Sequence, residues 1–280
     1  MIKHKGVGYY AFRTFGYLSM LFIAAVSVLP ILWVIVSSFK SNGAILSSPF
    51  ALPDTFNFDA YASVLNQYSL LSYGKNSLIV SVFPTLLSLL FYAMCAYVMA
   101  KYPFPGRNLL YALFTITLLV PGHTRIQPIF SLVMKLNLYD NLLGVMLVYL
   151  SGGLAMSLFV LRAAFMSVPI ELSEAAHIDG ANFLQTFFLI NLPLVKTGLS
   201  TAGVLMFLSN WNEYLYASLL TSSASNRTMP VALTFFNQAF SYDYTRMFAA
   251  LTLVVLPGII IYMIAQEQVT ASVATTGIKS

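Results

Sequence analysis

Long stretches without a charged side chain constrain this chain more than any other feature of its sequence. The clearest run from Thr14 to Phe39, Asn76 to Ala100, Asn141 to Leu161 and Met247 to Gln266. A helix needs roughly 20 mostly apolar residues to cross a bilayer, and each run supplies that length. Only 8% of the 280 residues are charged, whereas soluble domains usually carry about 25%. The chain is therefore predicted to be an integral membrane protein.

Two further stretches are long enough to span but are less regular. Asn108–Thr124 is uncharged and short, and Pro121 near its end predicts that this helix breaks or bends. The stretch from Thr197 to about Leu220 is interrupted by Glu213. The predicted fold class is an all-α polytopic membrane protein, a single transmembrane domain over residues 1–280. Its six helices are expected at about 14–39, 74–100, 108–132, 141–163, 195–220 and 247–267.

Charge and cysteine usage exclude several classes of function. The net charge of +5 comes from scattered basic residues, without the cluster that nucleic-acid binding requires. Cys95 is the single cysteine, so an intramolecular disulfide is impossible, and no His-Glu-x-x-His or similar metal motif occurs.

When both termini are placed in the cytoplasm, eight basic residues lie inside and six outside. The positive-inside rule therefore favours two cytoplasmic termini.

The fourth and fifth predicted helices are separated by a stretch at 167–193 that contains acidic residues and a glycine. We call it the signature stretch. Glu171 and Glu174 suit the first turn of a short helix, and Gly180 suits its end. Asn182 followed by Gln185 resembles a capping box that opens a second helix. We expect that second helix at Phe183–Ile190, stopped by Leu192-Pro193 because the residue before a proline avoids helical geometry.

The signature stretch resembles the loop that characterises inner-membrane permease subunits of binding-protein-dependent ABC importers. The residues that match at the family's spacing are Glu174, Ala175, Ala176, Gly180, Ile190, Leu192 and Pro193. Shorter segments resemble the carbohydrate-uptake branch of that family. These segments are Pro30-Ile31-Leu32-Trp33, Ser38-Phe39-Lys40, Ala96-Tyr97, Phe104-Pro105-Gly106-Arg107, Pro128-Ile129-Phe130, Trp211-Asn212-Glu213-Tyr214, Met247-Phe248-Ala249-Ala250 and Leu256-Pro257.

The resemblance implies an ABC type I importer permease fold with a coupling helix between helices 4 and 5. It implies that the coupling helix docks in a cytoplasmic ATPase. The residues expected to make that contact are Glu174, Ala175, Ala176, His177, Asp179 and Gly180. The chain lacks a phosphate-binding loop, so it is expected to be non-catalytic and to bind no cofactor, with ATP and Mg²⁺ held by partner ATPases.

The expected partners are a second permease subunit, two cytoplasmic ABC ATPases, an extracytoplasmic solute-binding protein, the bilayer and a carbohydrate. The expected location is the cytoplasmic (inner) membrane of a bacterium or archaeon. By resemblance, Thr221–Thr245 faces the binding protein, and its first residues, Ser222–Asn226, are expected to be flexible. The family's glycine-rich tail is only partly kept at Gly277-Ile278-Lys279, which leaves a contact between the tail and the ATPases open.

Candidate pathway residues surround the intramembrane carboxylate Glu213, because a buried charge is costly unless it faces water or a partner. One hypothesis places Asn210, Trp211, Asn212 and Glu213 on the wall of a sugar pathway. The alternative is that Glu213 pairs with a neighbouring helix and Trp211 belongs to the interfacial aromatic belt. Arg125 is a further candidate for sugar contact, with an interfacial snorkelling arginine as its alternative.

The predicted function is therefore the movement of a sugar or oligosaccharide across the membrane by alternating access, driven by separate ATPases. A polyol or a glycerol-phosphate-type solute is the first alternative. A self-contained secondary transporter is disfavoured because no internal repeat is apparent, and an intramembrane enzyme because no catalytic motif occurs. The sequence leaves open which solute is carried and which permease subunit holds it.

Overall fold

The structure is a computed structural model that describes residues 7–67, 69–239 and 242–277. In this part of the chain the regular elements are helices, without a strand. In chain order they are α1 (Val7–Ser37), α2 (Asn42–Ser47), α3 (Asp59–Gln67), α4 (Leu70–Lys101), α5 (Arg107–Ile116), α6 (Ile126–Lys135), α7 (Leu142–Ser151), α8 (Leu154–Ser167), α9 (Glu171–Ile178), α10 (Phe183–Gln185), a π-helical segment (Thr186–Asn191), α11 (Leu192–Leu194), α12 (Lys196–Trp211), α13 (Leu215–Leu220), α14 (Met229–Ala239) and α15 (Tyr244–Gly277).

Among the described residues, three helical stretches are long and apolar enough to cross a bilayer. They are Phe12–Ser37, Leu70–Lys101 and Tyr244–Ile264. Three bent pairs of helices pass the same test, so the described residues hold up to six spans. Of the predicted tail residues, Gly277 ends α15, whereas Ile278 and Lys279 lie outside the described residues.

The third span bends where the sequence predicts a break. Arg107–Leu119 and Gly122–Lys135 meet at 101° around Pro121. Val120, which precedes the proline, is extended with ψ of 113°, as the clash with a proline ring requires. The bend therefore follows directly from one residue.

The fourth span also bends, which the sequence does not predict. Leu142–Ser151 and Leu154–Ser167 meet at 48°, and Gly153 between them has a φ of 72° that favours glycine. The helix predicted at 195–220 is in fact two helices, α12 and α13, separated at Asn212 to Tyr214.

The predicted stop at Leu192-Pro193 is wrong. The helix that opens at Phe183 runs on to Leu194, and only then turns by 82° into α12. A π-helical segment precedes the proline, and Pro193 lies in the first turn of the short α11, where its missing N–H is tolerated.

One compact unit of the chain comprises Ser69–Ala232 and Leu256–Ser280. In it, α4 packs against α7, α8 and α12. Its main apolar core lies between these helices and includes Tyr97, Phe165 and Phe187, each 0% exposed. Helices α8 and α12 approach closely at Gly198, where a Cβ would lie 2.7 Å from the Ala164 Cβ.

The other compact unit comprises Met1–Tyr68 and Leu233–Val255. The apolar side chains of α1 are mostly exposed, which suits a helix that faces lipid or another subunit. After α1 the chain folds around Phe39, whose ring lies 5.2–5.3 Å from the rings of Phe56, Phe58 and Tyr61. The Lys40 ammonium is buried and donates to the Ser48 carbonyl at 2.6 Å.

Candidate functional site

Helix α9 carries the first half of the signature stretch, and its ends form as predicted. Glu174 lies in the first turn, where the positive end of the helix favours a carboxylate. Gly180 has a φ of 83° beyond the other end. Its N–H donates to the His177 carbonyl at 3.1 Å, and the Ala181 N–H donates to the Ala176 carbonyl at 2.9 Å. These are the two hydrogen bonds of a Schellman motif, which fixes where the helix ends.

The same helix has an inward and an outward face. Ser173 and Ala176, three residues apart, are each 5% exposed and face the protein. The outward face consists of the exposed residues Glu174, Ala175, His177, Ile178, Asp179 and Gly180. Ile178, the last residue of α9, is 87% exposed on this face. Of the residues predicted to contact an ATPase, Ala176 is the one that the structure turns inward.

The turn after α9 is reinforced by side chains. The His177 Nδ1 lies 3.1 Å from the Ala181 carbonyl, and because a carbonyl only accepts, this nitrogen is the donor. The Asn182 side chain accepts from the Gln185 N–H at 2.9 Å, while the Gln185 side chain accepts from the Asn182 N–H at 2.8 Å. The predicted capping box is therefore confirmed. Together these bonds fix the angle between the two halves of the stretch.

A cluster of aromatic rings lies beneath the signature stretch and joins it to α4 and α8. The ring centroid of Tyr97 lies 5.2 Å from that of Phe187 and 5.5 Å from that of Phe165. All three side chains are 0% exposed. Aromatic pairs at such distances add stabilisation beyond their burial. We call Tyr97, Phe165 and Phe187 the ring cluster.

A buried polar network lies beside the ring cluster. The Asn191 side-chain amide donates to the Ser173 hydroxyl at 3.0 Å and to the Thr186 carbonyl at 3.1 Å. The Tyr97 hydroxyl lies 3.3 Å from the Tyr102 hydroxyl. Partners fixed in this way hold a buried polar group in one geometry. Both halves of the signature stretch are thus bonded to each other and to the end of α4.

Lys101, the last residue of α4, donates to the Val168 carbonyl just before α9. Sequence reasoning noted Ala96-Tyr97 only as a point of resemblance and gave no role to Lys101, Ser173 or Asn191. The available signal was the placement of polar residues inside an otherwise apolar environment, because a buried amide or hydroxyl needs a partner.

Glu213 is held by the protein itself. One carboxylate oxygen accepts from the Tyr216 N–H at 2.8 Å, and the other accepts from the Ala217 N–H at 3.0 Å. The Tyr149 hydroxyl of α7 donates to the second oxygen at 2.7 Å. The carboxylate therefore caps α13 and bonds a neighbouring helix, which is the alternative set against a role in the pathway wall.

The residues next to Glu213 differ in accessibility. Trp211 is 5% exposed, and its ring stacks on that of Phe207 with a centroid distance of 5.9 Å. The backbone at Gly258 is also close, because a Cβ added there would lie 3.3 Å from the indole Nε1. Its indole face is therefore already occupied. Asn210 donates to the Thr85 hydroxyl at 3.1 Å, whereas the exposed Asn212 donates only to the Leu208 carbonyl of its own helix among the described residues.

Arg125 lies exposed at the corner of the bent third span. It ends the short 3₁₀ turn Gly122–Arg125, and the Tyr216 hydroxyl donates to the Gly122 carbonyl at 3.1 Å. In the described part of the chain its guanidinium makes no ion pair, since the single salt bridge found there joins Arg246 to Asp243 at 3.3 Å. The structure thus brings this corner to α13, although it does not place Arg125 in a closed site.

The loop at 221–228 is tied down by residues far away in sequence, unlike the flexible stretch that was predicted. One Asp140 carboxylate oxygen accepts from the N–H groups of Ser222 at 2.9 Å and Ser223 at 3.0 Å. These backbone donors, followed by the Ser223 hydroxyl and the Asn226 amide, hold the pKa of the Asp140 carboxyl well below its ordinary value.

The start of α4 holds the other side of this loop. The Asn76 amide donates to the carbonyls of Ser225 at 2.7 Å and Arg227 at 2.9 Å. The Ser77 hydroxyl accepts from the Met229 N–H at 2.8 Å. Asn76 and Ser77 are 7% and 1% exposed, so both hydrogen-bonded contacts are protected from water.

A mostly apolar groove of about 700 Å³ runs between α4 and α12. Pro193 and Lys196 lie at its margin next to the signature stretch. Among the described residues no three His, Cys, Asp or Glu side chains come together as metal ligands.

Comparisons with known proteins agree with one another. The family described as "Binding-protein-dependent transport system inner membrane component" matches residues 92–275. The diacetylchitobiose uptake system permease protein NgcG of Streptomyces coelicolor is 34% identical over 265 residues, covering 94% of this chain and 88% of that protein. The trehalose transport system permease protein SugB of Mycobacterium tuberculosis is 29% identical over 259 residues, covering 92% and 94%.

A solved structure is also similar. It is the crystal structure of a bacterial ABC transporter involved in the import of the acidic polysaccharide alginate. The TM-score is 0.84 at 25% sequence identity, and the match covers 94% of this chain and 98% of that one. The likeness therefore extends over nearly the whole chain.

Proposed function

This chain belongs to the family of binding-protein-dependent transport system inner membrane components, and from that premise we propose that the solute it moves is an oligosaccharide. Membership makes it an ABC transporter permease and confirms the predicted fold class, an all-α polytopic protein with up to six spans. The relatives named for diacetylchitobiose and trehalose support a sugar in preference to a polyol or a glycerol-phosphate-type solute.

The outward face of α9 is proposed to dock in a cytoplasmic ATPase. The observation that carries this proposal is the division of α9 into a face anchored by Ser173 and Ala176 and an opposite face that is exposed among the described residues. Ala175 leaves room for close approach, and the Glu174 carboxylate offers an acceptor for a basic or N–H donor on the partner. The exposed Ile178 supplies apolar area that would be costly to leave in water.

We propose the rest of the assembly from membership of the family, whose printed description is of a binding-protein-dependent transport system. A second permease subunit completes the pathway, two ATPases bind ATP and Mg²⁺, and an extracytoplasmic protein delivers the solute. The chain itself is non-catalytic and acts as one transmembrane domain with both termini in the cytoplasm. In this orientation α9 faces the cytoplasm, and the 221–228 loop faces the binding protein.

Solute contacts by this chain are proposed for its accessible polar residues. Asn212 and Arg125 are exposed, whereas Trp211 is buried and Glu213 has protein partners for its carboxylate. The partner subunit therefore supplies the larger share of the contacts that select the sugar.

Charge reversal at the outward face tests the proposal. We expect Glu174→Lys to abolish co-purification of the ATPase and ATP-dependent uptake of a labelled trisaccharide panel in membrane vesicles. Asp54→Lys is the matched control, because Asp54 is equally an exposed carboxylate but lies in the loop predicted to be outside; it should retain both activities. Uptake that continues without an ATPase, or ATPase binding unchanged by Glu174→Lys, would contradict the proposal.

A further inference from the structure

Helix α4 makes hydrogen bonds to functional segments at both of its ends. Near one end, Tyr97 packs on Phe187 of the signature stretch in the ring cluster, and Lys101 donates to the Val168 carbonyl. Near the other end, Asn76 holds the 221–228 loop through two backbone carbonyls. All of these contacts lie within one compact unit of the chain.

The distance between these contacts matches the thickness of a membrane. Asn76 and Tyr97 are separated by 21 positions, and at 1.5 Å per residue this is about 31 Å along the helix axis. The hydrocarbon core of a bilayer is also about 30 Å thick. Helix α4 continues through Pro84 as one helix over this distance. The two sets of contacts therefore lie at opposite surfaces of the membrane.

The contacts at each end are of the kind that transmit displacement. The ring cluster is 0% exposed and close-packed, so the π-helical segment that carries Phe187 cannot move away from α4 without opening a void. That segment is bonded to α9 through Asn191 and Ser173, so α9 and α4 are linked through it. At the far end, moving the loop away from Asn76 would leave a buried amide without acceptors, which is unfavourable. Between the ends, Thr85 of α4 bonds Asn210 beside the proposed pathway.

We infer that α4 is the element through which ATPase-driven movement of α9 reaches the loop at 221–228, with Tyr97 and Asn76 as the positioning residues at its two ends. The inference rests on the proposed function, because it assigns α9 to the ATPase and the loop to the binding protein. Coupling between two sites is reciprocal in free energy. Binding-protein contact at the loop must therefore also alter how the ATPases engage α9.

The test measures a change at the 221–228 loop when nucleotide is trapped in the ATPases at the other end of α4. The reporter is a thiol introduced by Ala224→Cys, at an exposed position in the loop, in a Cys95→Ala background. The complete transporter in nanodiscs is trapped with ATP, Mg²⁺ and vanadate, and the rate of maleimide labelling is compared with the nucleotide-free state. Since inter-site coupling typically amounts to about 5–150-fold, we expect trapping to change the rate at least about fivefold.

Two variants should remove this response, whereas two matched controls on α4 and the conservative variant Tyr97→Phe should keep it. Asn76→Leu removes the donor to the loop, and Tyr97→Ala removes the centre of the ring cluster; in both, the change on trapping should fall below about twofold. Ser88→Ala also removes a buried hydrogen bond of α4, to the Leu150 carbonyl at 2.8 Å. Tyr92→Ala also removes a buried ring, 8% exposed, from the same helix. Tyr97→Phe keeps the ring and should keep the response.

The outcomes separate the inference from the proposed function. If the controls lose the response as completely as Asn76→Leu and Tyr97→Ala, these residues only stabilise the fold and the inference is wrong. If Asn76→Leu does not assemble, Asn76→Ser, which retains one donor, should give an intermediate response, and a full response would overturn the inference. Parent transporter that takes up solute with ATP but shows no change in labelling overturns the inference alone. Parent transporter without ATP-driven uptake overturns the proposed function.

Discussion

Replacing Glu213 distinguishes a residue that caps a helix from one that lines a sugar pathway. Its carboxylate accepts hydrogen bonds from the Tyr149 hydroxyl and from the N–H groups of Tyr216 and Ala217, at 2.7–3.0 Å. Hydrogen bonds to a charged group contribute about 1.5–3 kcal/mol each. Because Glu213 is only half-buried, the lower value is appropriate, and the three bonds together amount to about 4.5 kcal/mol at most.

The two informative substitutions should differ in size. Glu213→Ala leaves all three donors without this acceptor and is expected to destabilise the protein by about 3–4 kcal/mol. Glu213→Gln keeps one oxygen acceptor but turns an amide NH₂ toward N–H donors, so we expect a loss of about 2 kcal/mol. For Glu213→Gln, a loss of about 2 kcal/mol corresponds to roughly a 30-fold fall in the ratio of folded to unfolded protein.

The assay is unfolding by denaturant in detergent micelles, followed by helix content, together with the KM of trisaccharide uptake. The capping role predicts a lower unfolding midpoint and an unchanged KM for the transporter that remains folded. For stability, Asn212→Ala is the adjacent control, because it removes an exposed hydrogen bond to the Leu208 carbonyl and should lower the free energy of unfolding by less than about 1 kcal/mol. An unshifted midpoint with a several-fold rise in KM for Glu213→Gln would refute the capping role and return Glu213 to the pathway wall.

Three further predictions follow from the same geometry. Gly180→Ala forces a φ of 83° on a residue with a Cβ, which costs about 1–2 kcal/mol, and should weaken ATPase co-purification without changing the amount of permease in the membrane. Asp140→Asn should speed hydrogen exchange of the backbone amides at 221–226. In the parent protein the pKa of Asp140 is lowered, so its carboxylate protects these amides above the ordinary pKa of about 3.9. This protection from exchange is lost as the pH falls through the lower native pKa. Gly198→Ala places a Cβ 2.7 Å from the Ala164 Cβ and should lower the free energy of unfolding by about 1–3 kcal/mol, which denaturant unfolding measures. Ala164→Gly in the same chain should restore it.

Local sequence rules predicted features that depend on one residue or on close neighbours. Pro121 gives the bend in the third span, Gly180 the end of α9, and Asn182 with Gln185 the capping box, since each effect needs only backbone geometry or a side chain three positions away. The resemblance identified the outward face of α9 by type, but could not show that Ala176 points inward, because that depends on how the helix is rotated against its neighbours.

Features that depend on tertiary partners could not be predicted in the same way. The sequence left open whether Glu213 lines the pathway or pairs with a neighbouring helix, because its partner Tyr149 in α7 is 64 positions away. The 221–226 stretch looked flexible because Asp140 and Asn76, which hold it, belong to distant elements. The predicted stop at Pro193 failed because a π-helical turn, which has no reliable sequence signal, precedes the proline.

The fixed spacing within the signature stretch has a physical explanation in the residues between the matching positions. Gly180 ends α9 at one point, and Pro193 lies at the bend into α12. Between them, Asn191 must reach back to Ser173 with a bond of 3.0 Å, and Phe187 must fill the ring cluster. Adding or removing one residue would rotate the second helix by about 100° and break both contacts. The spacing is therefore required by the joint between the two halves, and the outward side chains are free to suit the partner.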